Sequence, residues 1–186
     1  MKPFELLGEV EKNNWLNRPS LQATKERIMA RIEEAPKSTV FYYDLSAIES
    51  INGSGTDELI GKIVKWLREK SKEQDKYLFL DNLSPIDEFD HAYNIHISLE
   101  DAKVAVMAKD NSSFMVLGYL GQALKDVLGF VYENKETNAR EISTSMDKKL
   151  NLASTQLLEL YNMRLVRREE VQLSEGGRQY SYKSLF

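Results

Sequence analysis

Three short apolar runs, separated by stretches of helical periodicity, do most to fix how this chain can fold. They lie at 39–43 in "STVFYYDLSAI", at 76–82 in "KYLFLDN" and at 102–110 in "AKVAVMAKD". Runs of this length, rich in β-branched and aromatic residues, read as buried strands. Between the first two, Leu59, Ile60, Ile63, Val64 and Leu67 fall on one helical face. Ser54 is the expected N-cap of that helix, 55–70. Between the second and third, "SPIDEFDHAYNI" (84–95) opens on Ser-Pro, which suits an N-cap followed by the first helical residue. Ahead of the first run, "SLQATKERIMARIEEA" (20–35) carries a stripe of Leu21, Ile28, Met29 and Ile32, with Ser20 as N-cap and Pro36 as the stop. Strands alternating with helices predict an α/β layered domain. Tyr42, Tyr43, Trp66 and Phe79 are expected in its core.

The texture changes at "DNSS" (110–113), which places a domain boundary there, with 1–112 before it and 113–186 after. Helical patterns follow at 118–134 and 138–146, then a longer one in "LNLASTQLLELYNMRLV". The chain ends in two strand-like runs joined at Gly176-Gly177, a pair that supplies the positive φ of a tight hairpin tip. Three helices and a hairpin, in this order, are the plan of a winged helix-turn-helix. In the third helix Ala153, Leu157 and Leu160 recur at helical spacing and form the buried face. Asn151, Ser154 and Thr155 are left on another face near the N-terminal end, from which recognition helices contact base edges. Lys148, Lys149, Arg167, Arg168 and Arg178 are then the candidates for phosphate contacts.

Charge is consistent with such a division. The net charge is −4, yet residues 119–186 hold 10 Lys and Arg against 9 Asp and Glu, while residues 1–118 hold 15 against 20. The acidic excess therefore belongs to the first part. There is no cysteine, which excludes disulfides and thiolate chemistry. No apolar run approaches the ~18 residues of a membrane span, and a cytoplasmic location is expected.

Two resemblances sharpen these expectations. "AREIS…LNLASTQLLELYNMRLVRRE…EGGRQYSY" resembles bacterial winged-helix transcriptional regulators of the ArsR-like kind, which implies binding to double-stranded DNA. Met163-Arg164 stands where that family more often has Leu-Gly, and its metal-sensing cysteines are absent. "VFYYDLSAIESINGSGTDELIGKIVKWL" resembles the STAS fold of anti-sigma-factor antagonists, on Asp44-Leu45-Ser46, Ile48, Ile51 and Gly55, over about residues 20–108. In that family a strand ends at a loop that presents a hydroxyl at a helix N-terminus, where an anion is favoured. Here Asn52 replaces the family's Asp, Gly53 aligns with its phospho-acceptor serine, and Ser54 with its second serine. Asn52, Ser54 and Thr56 make the corresponding candidate regulatory loop. The STAS-like part is expected to dimerise, to sense, or to hold a regulatory protein partner.

Other chemistry is weaker. His91 and His96 are five residues apart and do not share a helical face, so surface or hinge positions are expected and no metal site. Asp87, Glu88 and Asp90 read as a solvated acidic run. "GSGTDELIG" lacks the Gly-Lys-Ser/Thr of a P-loop. No catalytic constellation or cofactor site emerges. The expectation is a DNA-binding regulator and not an enzyme. The alternative is a partner-switching protein-interaction module without DNA binding.

Overall fold

The computed structural model describes residues 5–7, 14–46, 48–70, 75–83, 91–110, 113–174 and 176–186. The chain is mixed α/β and divides into two compact units, Met1–Leu120 and Gly121–Phe186.

The first unit holds β1 (Glu5–Leu6), β2 (Asn14–Trp15), α1 (Arg18–Glu34), β3 (Val40–Asp44), β4 (Ser50–Ile51), α2 (Gly53–Thr56), a π-helical turn (Asp57–Gly61), α3 (Lys62–Glu69), β5 (Tyr77–Asp81), α4 (His91–Asp101), β6 (Ala105–Asp110) and β7 (Ser113–Gly118). Five strands form one sheet in the order β1-β3-β5-β6-β7; β2 and β4 pair separately. The first four strands of that sheet run parallel and β7 returns antiparallel to β6. Successive residues of β5, Tyr77 through Leu80, are all buried, as expected of a parallel strand covered on both faces.

The main core lies on the face that carries Phe41, Tyr43, Leu78 and Leu80, with Leu59, Ile60, Ile63, Val64 and Leu67 packed into it. Tyr43 is fully buried; its hydroxyl donates to the Leu59 carbonyl at 2.8 Å, and its ring meets Trp15 edge to face at 5.3 Å. Tyr42 is half-buried and stacks on Phe79 from the other face; Trp66 is also half-buried. Lys76 is buried and donates to the Glu33 carbonyl at 2.8 Å and to that of Ile32, closing the end of α1. Burial holds its ammonium below the usual lysine range.

Several boundaries differ from expectation. Helix α1 begins at Arg18, with Pro19 in its first turn and Asn17 as N-cap. Proline fits there because its missing N–H would be unsatisfied anyway. Ser20 is inside the helix and donates to the Asn17 carbonyl. Ser54 is not a cap either: Asn52 is, its side chain accepting from the Gly55 N–H at 3.0 Å. Residues 113–118, expected to open the second domain, are β7, paired with β6 from Ala105↔Gly118 to Asp110↔Ser113. The compact units divide after Leu120 instead. Asn111 and Ser112 of the expected boundary, and 84–90 with Asp87, Glu88, Asp90 and the Ser-Pro helix start, lie outside the described residues.

The second unit holds α5 (Gln122–Asn134), β8 (Glu136–Asn138), α6 (Ala139–Ser145), α7 (Leu150–Asn162), β9 (Arg167–Gln172) and β10 (Arg178–Lys183). Its strands make an antiparallel sheet in the order β8-β10-β9. The core contains Val127, Leu128, Val131, Tyr132, Ile142, Ala153, Leu157, Leu160, Leu165 and Val166. Burial pushes the Tyr132 phenol well above its ordinary range. Its hydroxyl donates to the Leu165 carbonyl at 2.9 Å, tying α5 to the start of β9. A capping box starts α6: Asn138 accepts from the Glu141 N–H, and Glu141 accepts from the Asn138 N–H. Gly176 and Gly177 both have positive φ, 88° and 91°, at the β9–β10 turn.

Candidate nucleic-acid interface

The turn between α6 and α7 is closed by its own polar groups. The Lys148 N–H donates to the Ser143 carbonyl at 3.0 Å, and Ser143 Oγ donates to the Lys148 carbonyl at 2.6 Å. Lys149 then occupies the N-cap position of α7. Ala153, Gln156, Leu157 and Leu160 are the buried side of this helix. Asn151, Ser154 and Thr155 are exposed, as their spacing required. Thr155 Oγ1 donates back to the Asn151 carbonyl at 2.9 Å, and Asn151 Oδ1 accepts from the Leu152 N–H at 2.9 Å.

The predicted cations do not act as one group. Arg167 and Arg168 are neighbours in β9, so their side chains project to opposite faces of the sheet. Arg167 Nε donates to the Ser184 carbonyl at 3.1 Å. Arg168 lies between two aromatic rings, 4.2 Å from the Tyr161 centroid and 4.3 Å from that of Tyr180. Burial holds the neighbouring Tyr182 phenol above its usual range, and the charge of this arginine partly offsets the shift. Both arginines are thus half-buried and bonded within the unit, because the hairpin must be fastened to the rest of its small domain. Lys148 donates to Gln156 Oε1 at 3.1 Å and is half-buried.

Arg178, on the same sheet face as Arg168, is exposed and pairs with Glu170 at 3.2 Å. With Arg140, Leu150, Ser154, Leu173 and Tyr180 it lines a pocket of about 220 Å³ between the start of α6, the start of α7 and the hairpin. Arg140 was not among the expected residues. It is exposed and, among the described residues, makes no ion pair, as is true of Lys149. Its signal in the sequence is its place: second residue of a helix opened by an Asn-x-x-Glu capping box. The opposite sheet face carries Glu169 and Glu136, both bridged by Lys183; of the two arginines lining the pocket, Arg178 is paired with Glu170 and Arg140 has no ion pair among the described residues.

In the first unit, Asn52 and Ser54 line a larger cleft of about 650 Å³ with Arg18, Lys65, Tyr93 and Ser98. Ser98 Oγ donates to the Gly53 carbonyl at 3.1 Å, and Arg18 pairs with Asp57 at 3.0 Å. Thr56, expected in the same loop, is fully buried and does not reach this cleft. A side chain at Gly55 would put Cβ 1.8 Å from the Trp15 carbonyl, so this glycine is required by packing against β2.

His91 is buried, contrary to expectation, and neither ring nitrogen has a partner among the described residues. His96 Nδ1 accepts from the Gly118 N–H at 3.0 Å. Among the described residues no group of His, Asp and Glu side chains is arranged to hold a metal ion, and no helix is long and apolar enough to cross a membrane. Neither a protein-family model nor a curated protein matches the chain.

Proposed function

We propose that this chain is a DNA-binding transcriptional regulator and not an enzyme. In this reading 121–186 is a winged helix-turn-helix, α7 is its recognition helix and β9–β10 its wing. The first unit is STAS-like and serves dimerisation or sensing, with a regulatory ligand or protein partner at the Asn52–Ser54 cleft. Two copies suit the two-fold half-sites that such helices read. One observation carries the proposal: the N-terminal half of α7 turns Asn151, Ser154 and Thr155 to solvent directly after Lys149, while Arg140 and Arg178 stand beside it. Amide and hydroxyl groups recognise base edges, and cations flanking them neutralise phosphates.

A salt titration of duplex binding by the full chain tests this. Lys149→Ala and Arg140→Ala each flatten the dependence of log affinity on log salt by about 0.9, the release of one counterion. Arg167→Ala leaves it unchanged. Failure to retain any duplex at physiological salt overturns the proposal. The second reading, a protein-interaction module, is favoured by one observation: Leu150, Leu152 and Leu158 are exposed on the same helix. A stoichiometric protein partner displaced by substitutions at these leucines, with no duplex bound, is the result it requires.

A further inference from the structure

The reading face of α7 has an uneven chemistry. Asn151, Thr155 and Leu158 stand at i, i+4 and i+7 and so form one line along the helix. Leu158 is 39% exposed, and Leu150, beside Ser154, is 49% exposed. Guanine is usually read by Arg or Lys and cytosine by Asp or Glu. Within α7 there is no Arg, Lys or Asp; Glu159, in its C-terminal half, is the sole charged residue. Gln156 is buried and bonded to Lys148 and to the Ala123 carbonyl. What remains outward along this line is an amide, then methyl groups, with the Ser154 hydroxyl beside it. Asn151 Oδ1 retains a second lone pair and its NH₂ group, the set that meets adenine N6 and N7. The Thr155 hydroxyl hydrogen is committed to the helix backbone, which leaves a methyl group and lone pairs. Apolar side chains at such positions meet the C5-methyl of thymine. Lys149 stands at the N-terminal end of this line, and Arg140 and Arg178 line the adjoining pocket with Leu150 and Ser154.

We infer that α7 reads an adenine·thymine half-site, with Asn151 on adenine and Thr155 and Leu158 on thymine methyl groups. This rests on the DNA-binding reading above and specifies its target.

The test selects duplexes from a random pool with the full chain, then rebuilds the selected duplex with uracil for thymine. That change removes only the C5-methyl. Selection of A·T pairs, and a loss of about fourfold in affinity per contacted thymine, is expected from the burial of one methyl group. Leu158→Ala then abolishes the difference between thymine and uracil at one position, and Asn151→Ala makes one adenine indifferent. The uracil measurement changes the DNA alone, so it stands even if a variant misfolds. Selection of G·C pairs, or equal affinity for thymine and uracil duplexes, overturns this inference and leaves DNA binding intact. No binding to any member of the pool overturns the DNA-binding reading and this inference with it.

Discussion

Arg168 separates two roles that an arginine on a wing can have. Its guanidinium lies within 4.3 Å of two ring centroids, those of Tyr161 and Tyr180. Arg168→Ala removes two cation–π contacts, each about 0.5–1 kcal/mol at a partly exposed site. The expected loss is about 1–2 kcal/mol from the unit Gly121–Phe186. For a domain of this size that lowers the midpoint of thermal unfolding by about 5 °C or more. Arg168→Lys recovers little, since an ammonium does not stack as a planar guanidinium does. The assay is thermal unfolding followed by near-ultraviolet circular dichroism, where Tyr161, Tyr180 and Tyr182 report on the hairpin. The same variant is then titrated with salt on a mixed-sequence duplex below its unfolding range. The clamp predicts an unchanged slope. A slope reduced by about 0.9, together with an unchanged unfolding midpoint, refutes the reasoning: Arg168 would then hold a phosphate and not the hairpin.

Glu58 provides a pH test in the first unit. Its carboxylate is buried between Lys25, at 2.6 Å, and Lys62. Burial pushes its pKa up, but the hydrogen bonds and charges of the two lysines outweigh this and hold it below the ordinary value. A depressed folded-state pKa adds stability above the unfolded value of about 4.3, and that stability is lost as pH falls through the folded value. Denaturant unfolding across pH 3–7 should therefore show an acid-side loss that Glu58→Gln reduces, with the variant about 2 kcal/mol less stable at pH 7 because its lysines lose their partner. Gly118→Ala is expected to cost more than about 3 kcal/mol, since φ is +93° and the added Cβ would stand 2.2 Å from the Val104 carbonyl. A soluble Gly118→Ala protein with an unchanged unfolding midpoint would contradict that geometry.

The parallel strands were legible because burial on both faces demands unbroken apolar runs, and β3, β5 and β6 have them. The exposed side of α7 was legible for the same kind of reason: Ala153, Leu157 and Leu160 left Asn151, Ser154 and Thr155 nowhere else to point. Strand β7 was not read, since "SSFMVLG" continues into a helical pattern without a Pro or charged break; its pairing with β6 is a tertiary fact. The caps were misassigned because Ser and Asn suit the same role: Asn52 caps with its side chain in place of Ser54, while Asn17 holds the N-cap position of α1 without a side-chain bond. Arg167 and Arg168 differ most from the arrangement their sequence suggested. Adjacency in sequence suggested a joint task, whereas the two-residue period of a strand separates them. Arg140 was missed because its neighbours in space, Arg178 and Ser154, are far along the chain.

The π-helical turn at Asp57–Gly61, where the Lys62 N–H reaches back to the Asp57 carbonyl, sets a phase. One residue more than an α-turn rotates whatever precedes it by about 100° relative to whatever follows. Ile63, Val64 and Leu67 can therefore face the sheet while Gly53 still offers its carbonyl to Ser98. Delete a single residue there and an unbroken helix would still form, but only one of its two ends could remain in register.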